Sequence, residues 1–127
     1  MNKEEITLAG KSVTLGYCYA TEIIYKDLSD EDIANIIQET ITCINAQPAR
    51  MPDVKRSIYL VLAAVMAYYQ SKDEEAPIKD TDLLLYATPL ELGTALGTII
   101  NLWAKFYHIP AGEPADKPQK GKGKGKN

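Results

Sequence analysis

The 127-residue chain has room for one hydrophobic core and excludes two independent ones. Apolar residues make up 46% of it and charged residues 24%, which places it among ordinary globular domains and outside the disordered class. Charge is segregated: residues 1–107 hold nine basic against fifteen acidic side chains (−6), whereas residues 108–127 hold five against two (+3), so the body is a poor match for nucleic acid.

The opening MNKEEITLAG lacks the apolar stretch of a secretion signal, which predicts a protein that stays in the cytoplasm. ITLAGKSVTLG predicts a short β-hairpin: Ile6 and Leu8 alternate with Thr7, Val13 and Leu15 with Thr14, and Gly10 supplies the turn. A lone hairpin is marginal in water, so it must pack on helices or extend its edge against another chain. A helix is expected over 17–26, with Tyr17, Ala20 and Ile24 on one face and Ile23 beside them. Ser29 is the expected cap of the next helix, with Asp30, Glu31 and Asp32 in its first turn and Ile33, Ile36, Ile37, Ile41 and Ile44 on its apolar stripe.

AQPARMPD, with two prolines, reads as a loop whose Asp53 caps a helix running to about Gln70. That helix is apolar almost all round, from Val54 through Ile58, Val61, Val65 and Tyr68, with Leu62, Met66 and Tyr69 beside them, so it is the central one. IYLVLAAVMAYY, its longest apolar run, is too short to cross a bilayer. After a polar loop, Asp80 is expected to cap a short helix through DLLLYA. Thr88, Pro89 and Glu91 then form a complete helix-start signal for a last helix carrying Leu92, Ala95, Leu96, Ile99, Leu102, Trp103 and Phe106. Pro110 forbids its continuation. The expected fold is therefore mainly α: a domain over 1–108 of four to five helices with a short N-terminal β-hairpin, followed over 109–127 by a disordered Pro/Gly/Lys tail.

Chemistry-bearing residues are sparse. His108, the one histidine, stands at the end of the last helix; it reads as a general base for Cys18 or Cys43, or as a helix-end residue favoured by the dipole. The two cysteines have no metal or redox spacing and read as buried thiols. SDED and KDEE are expected to be a helix start and a solvated loop, and no phosphate or dinucleotide loop is present, so neither catalysis, metal nor cofactor is expected. Gly93 and Gly97 form a G-x-x-x-G that predicts close approach of a neighbouring helix. Eight tyrosines read either as the rim of the core, including Tyr59, Tyr68, Tyr69 and Tyr86, or as a partner surface.

The order ITLAGKSVTLGYCYATEIIY, LSDEDI, a long apolar helix, DTDLLLYATPLELGTALGTIINLWAKFY and a Lys/Gly ending resembles the small tail assembly chaperones of long-tailed bacteriophages and prophages, over residues 5–107. That resemblance implies a non-catalytic protein of the host bacterial cytoplasm that binds the tape-measure protein and masks its apolar helical surface during tail assembly. It also implies a minority longer product, made by translational frameshift, that recruits tail-tube subunits. Gly125, Lys126 and Asn127 could be written GGA AAA AAC, which contains a slippery heptamer. Tyr86, Leu90, Trp103 and Tyr107 are the expected partner-binding residues, and the strand edge Ile6, Thr7 and Leu8 the expected site of self-association into a homo-oligomer. The alternatives are a small helical DNA-binding module, which would need a basic recognition helix, another protein-interaction module of unknown partner, and a cysteine-dependent enzyme.

Overall fold

The computed structural model describes residues 1–110, so the expected tail, from residue 111 onward, lies outside the described residues. Strands β1 (Asn2–Leu8) and β2 (Lys11–Tyr17) form a two-stranded antiparallel sheet in the register Asn2↔Tyr17 to Leu8↔Lys11. Ala9 and Gly10 join them with φ of 52° and 76°. Two positive values in succession make the tight turn whose twist matches that of the strands. Val13, Leu15 and Tyr17 alternate inward along β2 and are buried. This alternation carries Tyr17 into the strand rather than into the helix expected from residue 17.

Helix α1 (Tyr19–Ser29) starts two residues later. Thr21 Oγ1 receives the Cys18 N–H at 3.2 Å and donates to the Gly16 carbonyl at 3.0 Å, which turns the chain directly from strand to helix. Its inward face is Thr21, Tyr25 and Leu28 with Ile24 beside them, while Ile23, expected on the core side, is exposed. Asp30, in the left-handed conformation, ends α1 by donating its N–H to Lys26 O at 2.8 Å. Ser29 therefore belongs to α1, its hydroxyl bonded to Tyr25 O, and does not start the next helix. The acids Asp30, Glu31 and Asp32 occupy the junction before α2 (Ile33–Asn45) instead of its first turn. Ile33, Ile36, Ile37, Thr40 and Cys43 are buried on α2, but Ile44 faces outward.

Helix α3 (Val54–Ser71) is capped by Asp53, whose carboxylate accepts the Arg56 N–H at 2.9 Å. It packs on β2 and on all the other helices, and its residues from Leu60 to Val65 are buried without a break, as a central helix requires. Only its first residue, Val54, departs from the expected stripe by lying exposed. Helix α4 (Asp80–Tyr86) begins with Asp80 inside it rather than as its cap; the Lys79 N–H donates to Asp82 at 2.8 Å. Helix α5 (Pro89–Phe106) buries Leu92, Ala95, Leu96, Ile99 and Leu102 against α3 and the hairpin. Its end is a paired turn in which His108 N–H reaches Lys105 O and Ile109 N–H reaches Ala104 O, with His108 left-handed. The described chain is thus mainly α, and none of its helices is long and apolar enough to cross a membrane.

Candidate protein-interaction surface

The corner between α4 and α5 joins the end of one helix to the start of the next. Thr88 Oγ1 accepts the Glu91 N–H at 3.1 Å, and the Glu91 carboxylate accepts the Thr88 N–H at 3.0 Å, the reciprocal box foreseen from TPLE. The same carboxylate also receives the N–H groups of Ala9 at 3.1 Å and Gly10 at 3.3 Å, which ties the start of α5 to the hairpin turn. These bonds, that from Thr88 foremost and then those from Gly10 and Ala9, outweigh partial desolvation and hold the Glu91 carboxyl below its ordinary value.

A seven-residue helix can bury only one narrow face. In α4 that face is Leu83, packed against the core. Its successors Leu84, Leu85 and Tyr86 are 59%, 70% and 66% exposed, and Leu90 on the first turn of α5 is 80% exposed. Tyr86 is therefore not core rim, in contrast to Tyr59 and Tyr69, which are half-buried against the core. Tyr86 and Leu90, expected as partner contacts, do fall together, joined by Leu84 and Leu85. The run LLLY on so short a helix is itself the signal for those two, because adjacent helical side chains turn about 100° apart and one narrow inward face cannot take three leucines in a row.

Trp103 and Tyr107 stand at the other end of α5, roughly 20 Å along its axis from Leu90. Trp103 is half-buried against the core, its ring 6.5 Å from that of Tyr107. The Tyr107 hydroxyl donates to Glu22, which also receives the buried Tyr17 hydroxyl at 2.8 Å. The bond to Glu22 pushes the Tyr107 hydroxyl pKa up to about 12. The four residues thus form two sites, one at each end of α5. Leu8 is buried and Ile6 half-buried, leaving only Thr7 of that trio exposed, while Lys3, Glu4 and Glu5 line the same strand with exposed charge.

Gly93 and Gly97 face open space, with nothing within 4 Å of a Cβ built on either, so among the described residues no neighbouring helix uses the gap expected there. Cys18 is half-buried at the head of α1, Cys43 is buried on α2, and His108 is exposed beyond α5. Among the described residues no group of three or more His, Cys, Asp or Glu is placed to hold a metal ion.

The densest charge network joins three elements. Arg56 on α3 donates to both Glu31 oxygens, at 2.9 and 3.2 Å, and to Glu39 on α2. Tyr25 on α1 donates its hydroxyl to Glu31 as well. Burial pushes the Glu31 carboxyl up, but the bonds from Arg56 and Tyr25 prevail and leave it below its ordinary value; the bond from Arg56 does the same for Glu39. One guanidinium serves both carboxylates, each of them hydrogen-bonded, so the network braces α1, α2 and α3.

Comparison with protein families, curated proteins and solved structures finds no match to the chain.

A cleft of about 490 Å³ lies between α1, α3 and the start of α4. Leu62, Met66 and Ile78 line it together with Tyr59 and Tyr69, and Glu74, Glu75, Lys79 and Asp80 stand among its polar residues. A second, of about 680 Å³, lies between α1, the start of α2 and the end of α5, beside Glu22, Lys26, Trp103 and Tyr107.

Proposed function

We propose that the protein is a non-catalytic tail assembly chaperone of a long-tailed bacteriophage or prophage, which holds the tape-measure protein by its apolar helical surface until the tail tube forms around it. What carries this is the α4–α5 corner, where four large apolar side chains stand exposed within seven residues on a frame fixed by the capping box of α5 and its bonds to the hairpin turn. Scattered exposed leucines are ordinary on a soluble protein, but a contiguous group marks a contact surface. Covering such side chains contributes roughly 1.5–3 kcal/mol each when complete. Against several kcal/mol for lost freedom on association, this gives a hold that can be released, as a chaperone needs. The order of elements supports the same reading: a hairpin, a helix following at once, an all-α body, and a leucine-rich turn before a capped last helix.

The test is co-expression with the tape-measure protein encoded alongside it. Wild type is expected to keep that protein soluble, and the variant Leu85→Asp/Leu90→Asp to fail while retaining its circular dichroism spectrum. Tape-measure protein that stays equally soluble with the double variant would rule the corner out. If it is equally soluble with no chaperone present, the function itself is wrong.

A further inference from the structure

We propose that the cleft beside α4 receives an apolar side chain from a helical partner segment that also carries lysine or arginine, so that the partner is selected by basic charge as well as by apolar surface. This rests on the reading above that the corner binds a helical partner, and adds the chemistry by which that partner is recognised. At about 490 Å³ the cleft is of the size that accepts a large side chain or small ligand. Met66, unbranched and polarisable, and the two tyrosines give it walls that adapt to different apolar groups. Asp80, the first residue of α4, lines the cleft and stands one turn before the exposed Leu84, so α4 links the cleft to the corner.

Charge decides the occupant. Glu74, Glu75 and Asp80 face a single Lys79 around the cleft, and among the described residues none of these three carboxylates belongs to an ion pair. A second copy of the chain would bring two such rims together in a two-fold contact, acid against acid. A basic segment meets the rim with the opposite sign. The second cleft is less acidic, since its Lys26 is paired with Asp32 at 3.7 Å and Glu22, its one other carboxylate, already accepts the hydroxyls of Tyr17 and Tyr107.

Two fluorescently labelled amphipathic helical peptides test this, one built of Leu and Lys and the other of Leu and Glu, titrated with the full chain. Wild type should bind the Leu/Lys peptide about tenfold more tightly at low salt, with the gap closing as salt rises. Glu74→Gln/Glu75→Gln/Asp80→Asn should shrink that preference to about twofold, whereas neutralising Glu4, Glu5 and Asp32, none of which lines the cleft, should leave it intact. Ala76→Trp, which fills the cleft, should weaken Leu/Lys binding. The proposal is overturned if the preference survives neutralisation of the rim or is lost equally with the control variant. A dimer broken by Ala76→Trp would overturn it too, assigning the cleft to a second copy. The two readings fail separately. Peptide selectivity in a protein that leaves the tape-measure insoluble sinks the chaperone reading, and a rim-neutralised variant that chaperones at full strength sinks the charge-selective cleft.

Discussion

Three backbone N–H groups, from Thr88, Ala9 and Gly10, converge on the carboxylate of Glu91, two of them from residues more than eighty positions away. Its depressed pKa fixes the sign of a pH effect. A carboxyl more acidic in the folded than in the unfolded chain stabilises the fold above its ordinary value of 4.5, and that contribution disappears as pH falls through the folded value. Glu31 and Glu39 act in the same direction. The thermal midpoint should therefore be level through the weakly acidic range and fall below pH 4.5. Glu91→Gln should start lower at neutral pH and lose less on acidification; an identical acid profile would remove the assignment. Arg56→Met tests the other network. It leaves two half-buried carboxylates facing each other without their cation, at a cost of about 2 kcal/mol in denaturant unfolding, discounted for the solvent that reaches them. The capping half of the Glu91 arrangement was legible in TPLE. Its hairpin half was not, since no local pattern tells a carboxylate which distant turn it will meet.

Among the elements, glycines separate what the fold needs from what it tolerates. A Cβ on Gly16 would lie 3.2 Å from Tyr68 Cβ, an atom fixed close to the α3 backbone, so strand or helix would have to give by a few tenths of an ångström to admit it. Gly16→Ala should cost about 1–3 kcal/mol, by the logic of overpacking. Gly93→Ala and Gly97→Ala meet nothing within 4 Å and restore helix propensity, so each should stabilise by about 0.5–1 kcal/mol. A destabilising Gly97→Ala would mean that α5 is packed differently. The extents of α3 and α5 were readable because a run of apolar side chains at helical spacing leaves little choice. The α1–α2 junction was misjudged for an equally physical reason. Ser29 followed by acids looks like a helix start, but the same serine can bond back to Tyr25 O while Asp30 adopts the left-handed turn that ends a helix. The expected surface on α5 spans two separate sites because the identity of an apolar side chain does not carry its facing, which only packing assigns.

At the scale of the whole molecule, α3 contacts β2 and every other helix, and α5 closes the hairpin over it, so no element has a core of its own. One cooperative transition is expected. The single tryptophan, Trp103, reports on the end of α5, while far-ultraviolet circular dichroism reports on all helices. Midpoints by the two signals should coincide, and an earlier Trp103 transition would show α5 leaving first. The mainly α class and the central helix could be read from periodicity alone. The free faces could not, since exposure is decided by which neighbours a helix lacks.

The tie between the hairpin turn and Glu91 also has a timetable. Ala9 leaves the ribosome 82 residues ahead of the carboxylate that will receive its N–H. At the usual pace of translation the nascent turn waits roughly 4 to 16 s for it. Until then α5 is not there to cover Val13, Leu15 and Tyr17, and for most of the wait α3 is missing as well, so the apolar face of the hairpin stays bare while the rest of the chain is made.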